Sequence, residues 1–318
     1  MSRELDMAIT QRHLDDETLY CPSSAQEFAK QYRQLNRVWV ETAKSAGLNR
    51  ATIIRLKSDH PVCPVLYVLT KTHKLSPVTL TSSDPRDFKV RPIISGVGGP
   101  TDRISWLLKF ILAPLLKHVP AHLTNTNMFL ERLRETRFNS ECAIESFDVT
   151  SLYTNVSNKA ALQAVSELLS EHHGSLTLYG FSIRQVMTLL DECSKCSIFR
   201  WSGHYYKQIR GLAMGQRLAP TLAIAFMSKV EQPILERKPL LYCRYIDDCC
   251  IVCPTQCELD TRFNLLNQQS PNIKFTRDKP EKEWLPFLNG YLFTMSRFMC
   301  PMGSGKQSGT ENLAVKTS

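Results

Sequence analysis

Two adjacent aspartates, Asp247 and Asp248, are the residues of this sequence best suited to chemistry. They stand within the run 241–253, whose apolar and aromatic residues predict a β-hairpin with the pair at its tip. A rigid sheet would hold the two carboxylates as a concentrated negative site, and oxygen ligands of this kind suit Mg²⁺. Aspartate is also a common turn residue, so a solvated turn is the alternative interpretation.

A third carboxylate, Asp148, strengthens the case for a metal site. It ends a short apolar run that begins near Cys142 and predicts a buried strand, from which its side chain can point into a cleft beside the sheet. Two-metal phosphoryl transfer needs carboxylates from at least two chain segments, which hold ions roughly 3.5–4 Å apart. Asp148 and Asp247 are suited to meet on neighbouring strands. The alternative for Asp148 is a cap of the turn that follows it.

A basic region lies between residues 71 and 117, where Lys and Arg exceed Asp. Within it, Lys89 and Arg91 share one face of a predicted strand, Phe88 to Ser95, and Pro92 makes that strand an edge or strand-end segment. The pair could hold a triphosphate, because Arg binds phosphate oxygens through two hydrogen bonds. Solvated charges that protect a sheet edge from aggregation are the alternative.

The elements that position these residues alternate between helical and strand patterns. Capping boxes begin the helices at Ser24 and Ser182. Helices are predicted over 24–46, 104–117, 158–172, from 182 onward and over 220–235, strands over 65–69, 88–95 and 142–149, and hairpins over 198–209 and 241–253. This mixture predicts an α+β fold, an antiparallel sheet with helices packed on one face.

The composition of the 318-residue chain is that of a globular protein, with 43% hydrophobic and 22% charged residues. Its uncharged stretches are too short for a membrane span, and no apolar run follows the first residues as in a secretory signal. We therefore expect an intracellular protein, nuclear or cytoplasmic, that does not enter a membrane. A net charge of +9 favours a polyanionic partner.

Eleven cysteines are expected to be thiols in a reducing compartment. Two Cys-x-x-Cys pairs, Cys193 with Cys196 and Cys250 with Cys253, have a spacing that zinc sites use. Because Cys250 and Cys253 lie in an apolar strand-like run, we favour buried cysteines that act as small apolar residues.

Several motifs follow one another in a fixed order along the chain. They are YVLTKTHK at Tyr67 to Lys74, RPIIS at Arg91 to Ser95, FDVTSLYTNV at Phe147 to Val156, GLAMG at Gly211 to Gly215, YIDD at Tyr245 to Asp248 and LPFL at Leu285 to Leu288. Their order and spacing resemble those of a reverse transcriptase palm, and the particular residues in them resemble the motifs of Penelope-like retroelement reverse transcriptases. The resemblance extends from about Leu19 to Leu292.

The resemblance implies a right-hand polymerase fold, with fingers and palm, that copies RNA into DNA. The partners would be an RNA template, a DNA primer and deoxynucleoside triphosphates. By motif position, Asp148 and Asp247 would ligate two Mg²⁺ ions, with Mn²⁺ as a substitute, and Asp248 would complete the catalytic and metal site.

The same resemblance assigns residues that contact the substrate and the nucleic acid. Tyr153 would lie against the sugar and reject ribonucleotides, with a buried aromatic as the alternative. Gly215 would let the backbone approach the nucleotide, with an ordinary turn as the alternative. Lys89 and Arg91 would face the triphosphate. Basic residues of the first motif, Lys71 and Lys74, would bind nucleic acid.

The expected organisation is an N-terminal helical region (1–60), fingers (61–140), a palm with interleaved fingers elements (141–300) and a disordered tail (301–318). We recognise no thumb after the palm and no GIY-YIG endonuclease, so we expect either a truncated copy of an element or an incomplete gene product, in which the catalytic carboxylates survive.

Three positions depart from the family pattern. Gln216 and Arg217 stand where Ser and Pro are usual, and Asn289 stands where Asp is usual. The leading hypothesis is an RNA-directed DNA polymerase domain. One alternative is a nucleic-acid-binding relic of such an element, which binds primer and template but does not extend the primer. The other is a palm that folds poorly because loss of the thumb exposes apolar surface.

Overall fold

The computed structural model describes residues 2–72, 82–138, 142–282, 284–288, 290–293 and 315–317. The α-helices are α1 (Arg3–Leu14), α2 (Ala25–Ser45), α3 (Arg50–Leu56), α4 (Asp102–Leu112), α5 (Thr126–Glu135), α6 (Leu152–Asn155), α7 (Asn158–His172), α8 (Ile183–Lys195), α9 (Ala219–Leu235) and α10 (Gln256–Gln268). Short 3₁₀-helices cover Pro85–Asp87, Ala113–His118 and His173–Ser175. In these ranges, no helix has both the length and the apolar character that crossing a membrane requires.

The strands are β1 (Tyr20–Ser23), β2 (Val65–Thr70), β3 (Val90–Ser95), β4 (Ala143–Val149), β5 (Ile198–Trp201), β6 (His204–Gln208), β7 (Leu241–Tyr245), β8 (Asp248–Cys253), β9 (Phe275–Asp278), β10 (Trp284–Phe287), β11 (Gly290–Phe293) and β12 (Val315–Thr317).

Most elements form where local sequence signals place them. Ser24 caps α2 by accepting from the Glu27 N–H, and Ser182 begins α8 with a complete capping box. The helix predicted over 104–117 begins earlier, at Asp102, and its α-helical part ends at Leu112. The following residues form a 3₁₀-helix because Pro114 has no N–H to continue the α-helical hydrogen bonds.

The structured chain divides into two compact units, and the first comprises 1–115 and 153–223. Its sheet has the strand order β1-β6-β5-β2-β3 and is antiparallel except where β2 pairs with β5. Leu66 and Ile94 face a buried core on one side. Val65, Tyr67 and Leu69, which alternate with Leu66 along β2, are 42–50% exposed on the other side. This face of the sheet is therefore uncovered along β2.

The helices of the first unit pack around α8, which contacts α2, α4 and α7. Trp39 of α2 is fully buried, and its indole N–H donates to the Ile53 carbonyl at 3.0 Å. This bond satisfies the polar end of a large apolar side chain and fixes α3 against α2.

The second unit comprises 116–152 and 224–318, and its sheet has the order β7-β8-β4-β9, antiparallel throughout. One face packs on α10, where the Phe147 and Phe263 rings lie 5.1 Å apart, and on α9. Ile144 and Cys250 face the opposite side, in a core cluster with Phe129 of α5 and residues of β10 and β11. This antiparallel sheet with helices packed against it confirms the predicted α+β fold.

The two units are discontinuous in sequence, whereas the expected segments 1–60, 61–140, 141–300 and 301–318 are contiguous. The assignment of those segments to fingers and palm stays a prediction. Most of 301–318 lies outside the described residues, but 315–317 form β12, paired with β11. The expectation for the segment 301–318 stays a prediction.

Candidate active site

The second unit places Asp148 directly opposite Asp248 in the β4–β8 ladder. The Val149 N–H donates to the Asp247 carbonyl at 3.0 Å, so the neighbouring Asp148–Asp248 pair is of the non-hydrogen-bonded type. In such pairs the Cα atoms lie about 4.5 Å apart and both side chains stand on one face of the sheet. The predicted juxtaposition of Asp148 with the hairpin is found.

Asp247 lies in the tight turn between β7 and β8, where Tyr245 pairs with Asp248 across it. Its neighbour Ile246 has a φ of +57°. A β-branched residue rarely adopts this left-handed conformation, which costs on the order of 1–3 kcal/mol and persists only where surrounding contacts impose it. The turn that carries Asp247 is therefore held in a strained shape.

Arg244 supplies a contact that holds this turn. Its side chain is fully buried, and Nη1 donates to the Ile246 carbonyl at 3.0 Å. The same guanidinium binds Glu231 of α9 through two nitrogens, with Nη2 at 3.1 Å from Oε2, and the Tyr242 hydroxyl donates to Glu231 at 3.0 Å. Burial opposes the charged form of Arg244, but Glu231 outweighs burial and raises the pKa of the guanidinium.

Sequence reasoning missed Arg244 and Glu231, although a signal was present. Each is a charge inside an otherwise apolar element, Arg244 in a buried strand and Glu231 in an apolar helix. Fully buried charges are almost always paired, so two opposite charges in two buried elements predict contact.

Tyr153, predicted to select the sugar, is a half-buried residue in the first unit, on the short helix α6. Its carbonyl accepts from the Leu212 N–H at 2.7 Å. Gly211 has a φ of +84°, and a Cβ built there would lie 2.6 Å from the Tyr153 carbonyl oxygen and 2.7 Å from the Thr154 Cα. Gly211, which sequence analysis left without a role, is thus the residue against which the Tyr153 backbone packs.

We expect Gly211→Ala to lower the free energy of unfolding by about 2 kcal/mol or more. The added Cβ meets backbone atoms that cannot move aside, and the positive φ adds strain. Urea unfolding measures the change. Gly174→Ala is the matched control, because no atom lies within 4 Å of a Cβ built at that glycine. Equal stability of the two variants would contradict the close packing at Gly211.

Gly215 also lies close to backbone atoms, in this case those of strand β3. With φ at +109°, a Cβ on Gly215 would lie 2.5 Å from the Ile94 carbonyl oxygen. The Ile94 N–H donates to the Met214 carbonyl at 2.7 Å. Packing against β3 therefore explains the glycine, and the predicted contact with a nucleotide stays a prediction.

The predicted phosphate-binding residues gather at one end of the β2–β3 pair. Leu69 pairs with Arg91, and the Lys71 N–H donates to the Lys89 carbonyl at 2.8 Å. By strand alternation, Lys71, Lys89 and Arg91 share the uncovered sheet face with Tyr67 and Leu69. β3 lies at the sheet edge, as Pro92 predicts. Lys74 and Asn289 lie outside the described residues.

Arg217, a departure from the family pattern, forms an ion pair with Asp102 of α4. Asp102 also accepts from the Gly98 N–H at 3.0 Å. Burial disfavours the charged carboxylate, but these two hydrogen bonds outweigh burial and lower the pKa of Asp102. The guanidinium of Arg217 is thus engaged within the first unit.

Among the described residues, no group of three or more His, Cys, Asp or Glu side chains is arranged to hold a metal ion. Asp148, Asp247 and Asp248 lie on one hairpin and its neighbouring strand, and carboxylate oxygens are the type of ligand that hard divalent cations prefer. Protein sites often bind Mg²⁺ through only one or two carboxylates and leave its other positions to substrate phosphates and water.

The Cys-x-x-Cys residues are all buried. Burial raises the pKa of Cys193 to about 12 and that of Cys253 to about 11. Thiols of this kind disfavour the thiolate form that zinc needs, and they pack as small apolar side chains.

Comparison with solved structures shows that a similar fold occurs in telomerase. The fold is similar to telomerase from Candida albicans in complex with a TWJ fragment of telomeric RNA, with a TM-score of 0.59, 11% identity and coverage of 92% of this chain and 50% of that one. It is also similar to apo telomerase from Candida tropicalis truncated from the C-terminal domain, with a TM-score of 0.51, 13% identity and coverage of 73% and 53%. The chain thus spans about half the length of these telomerase chains.

Comparison of the sequence with known proteins and families tests family membership directly. No curated protein matched the sequence. The family model described as "Reverse transcriptase (RNA-dependent DNA polymerase)" matches residues 101–279, more than half of the chain. That region contains the paired aspartates of β4 and β8 and the turn between β7 and β8. Because this match covers more than half of the chain, the chain belongs to the reverse transcriptase family.

Proposed function

We propose that this chain is the RNA-directed DNA polymerase domain of a Penelope-like retroelement, acting by two-metal nucleotidyl transfer. The observation that carries the proposal is the pairing of Asp148 with Asp248, beside Asp247 in a held turn, inside the region that matches the reverse transcriptase family. The Penelope-like assignment is supported by the sequence motifs at Tyr67 to Lys74, Arg91 to Ser95 and Leu285 to Leu288.

In this proposal Asp148 and Asp247 hold two divalent cations, Mg²⁺ or Mn²⁺, and Asp248 completes the negative site. Bound there, the ions would act as Lewis acids on the attacking and leaving oxygens of the phosphoryl group. The role of the protein is to fix the carboxylates before substrate arrives. The β4–β8 ladder does this for Asp148 and Asp248, and the Arg244 contact to Ile246 does it for the turn that carries Asp247.

The basic face of β2 and β3 would bind the anionic partners, an RNA template, a DNA primer and deoxynucleoside triphosphates. Arg91 offers a planar guanidinium that can bind phosphate through two hydrogen bonds, and Lys71 and Lys89 add positive charge beside it. Lys74 is proposed for nucleic-acid binding from its motif. Tyr67 and Leu69 on the same face add an apolar surface.

Tyr153→Ala tests the proposal through substrate choice. If the ring of Tyr153 excludes the 2′-hydroxyl by a clash, its removal lets ribonucleotides enter, and we expect the preference for deoxynucleotides to fall by about 10²-fold or more. The measurement is primer extension on an RNA template with Mg²⁺, comparing kcat/KM for a deoxynucleotide and the matching ribonucleotide.

Tyr153→Phe is the matched control, because it keeps the ring and should keep the preference. Equal discrimination by the Ala variant would contradict the role of Tyr153 as a gate. A wild-type protein that is folded and binds primer and template, yet incorporates nothing, would favour the nucleic-acid-binding relic over the polymerase.

A further inference from the structure

A row of exposed aromatic rings lies on the first unit, away from any role assigned above. Trp106 and Phe110 stand one turn apart on α4 with their rings stacked, 6.1 Å between centroids and 6° between planes. Tyr179 follows, with its centroid 5.4 Å from that of Phe110. The three side chains are 50%, 53% and 50% exposed. Rings this large are normally buried, so a cluster of them on a surface marks an interaction site.

The backbone at Tyr179 carries strain that supports this interpretation. Tyr179 has a φ of +52° and Gly180 a φ of +88°, in a turn closed by the Phe181 N–H to the Leu178 carbonyl at 2.9 Å. Asn, Asp or Gly would adopt such a turn at lower cost than a bulky aromatic. An exposed tyrosine in this conformation gains little from burial, which suggests that its side chain serves binding.

Arginines border the same row. A cavity of about 670 Å³ is lined by Trp106 and by Arg55, Arg103 and Arg217. The acidic residue in this lining, Asp102, is paired with Arg217. Lys109, between the two stacked rings in sequence, is also exposed. The surface therefore combines aromatic faces with an excess of positive charge.

We propose that this aromatic row, Trp106, Phe110 and Tyr179 with the bordering arginines, binds single-stranded nucleic acid, either RNA or DNA. Unpaired bases would stack on the rings, and phosphates would contact the exposed side chains of Arg55 and Lys109, as in other surfaces that bind single strands. A duplex would not suit it, because paired bases hide their faces in their own stack. The proposal goes beyond the polymerase function and does not depend on Asp148, Asp247 or Asp248.

The test uses the full chain with fluorescein-labelled oligo(U) and oligo(dT), without Mg²⁺ or nucleotides. Fluorescence anisotropy gives the dissociation constants. We expect Trp106→Leu/Phe110→Leu, which keeps apolar bulk but removes the rings, to weaken binding by about tenfold or more. The control Trp106→Phe/Phe110→Tyr keeps the rings and should bind as the wild type does. Arg55→Gln should lower the dependence of affinity on salt.

A second readout follows the tryptophan itself. Trp106 is the exposed member of the four tryptophans, so bound oligonucleotide should quench protein fluorescence, and Trp106→Phe should remove most of that quenching. Because the assay contains neither Mg²⁺ nor nucleotides, it measures binding alone, which separates this proposal from failure of the polymerase. The proposal is overturned if the leucine variant binds with unchanged affinity. If the leucine variant loses affinity for only one of the two oligonucleotides, that oligonucleotide shows whether the ligand is RNA or DNA.

Discussion

Asp247→Asn is expected to reduce nucleotide incorporation by about 10³-fold or more. Asparagine keeps the size and one oxygen of the side chain but removes the negative charge that would hold a divalent cation. Loss of a Lewis-acid contact worth several kcal/mol corresponds to this factor, since each 1.36 kcal/mol changes a rate about tenfold. Single-turnover primer extension at saturating Mg²⁺ measures the rate of the chemical step.

Asp260→Asn is the matched control for this prediction. Asp260 lies on α10 and pairs with Arg277 of β9. Arg277 lies opposite Phe147 in the β4–β9 ladder, and Phe147 faces α10, on the side of the sheet opposite Asp148. The control should therefore retain nearly full activity. Near-wild-type activity of Asp247→Asn, in a protein shown by circular dichroism to be folded, would remove the metal role from the turn and with it the proposed mechanism.

The local elements around the candidate site could be predicted because their signals are local. The hairpin of β7 and β8 is marked by two strand-like runs on either side of the adjacent aspartates, and the hairpin at Ser202 and Gly203 by a glycine suited to a tight turn. The opposition of Asp148 and Asp248 is less local, yet strand ends and apolar alternation were sufficient to expect it.

The contacts that hold the site could not be predicted in the same way, because they join distant segments. Gly211 lies against the Tyr153 backbone only after its loop meets helix α6, and the sequence shows only a glycine in a motif. The pairing of Arg217 with Asp102 likewise appears only in the fold. Apolar periodicity places a residue on a face of its own helix or strand and does not identify its partner on another element.

The buried Arg244–Glu231 pair leads to a second large effect, on stability. Arg244→Met leaves Glu231 as an uncompensated charge in a site with no exposure, and we expect the free energy of unfolding to fall by about 3–5 kcal/mol. Unfolding in guanidinium chloride, monitored by circular dichroism, measures this decrease in the free energy of unfolding. Arg134→Met, which alters an exposed arginine of the same unit, should change stability by about 0.5 kcal/mol or less.

Replacing both partners separates stability from positioning. In Arg244→Met/Glu231→Gln neither side chain is charged, and the glutamine oxygen can still accept from Tyr242. Because removing both charges of a buried pair is often nearly neutral, we expect this double variant to recover most of the lost stability. It does not recover the hydrogen bond from Arg244 to the Ile246 carbonyl, so the strained turn beside Asp247 loses a support.

The double variant should therefore fold and bind primer and template as the wild type does, yet incorporate nucleotides about 10²-fold more slowly. A displacement near 1 Å of a catalytic group has an effect of this size. The decisive comparison is kcat against the dissociation constant for the duplex, because a purely structural role for Arg244 would leave kcat intact once stability is restored. Full activity in the stable double variant would show that Asp247 keeps its position without Arg244, and that the pair serves only to join β7 to α9.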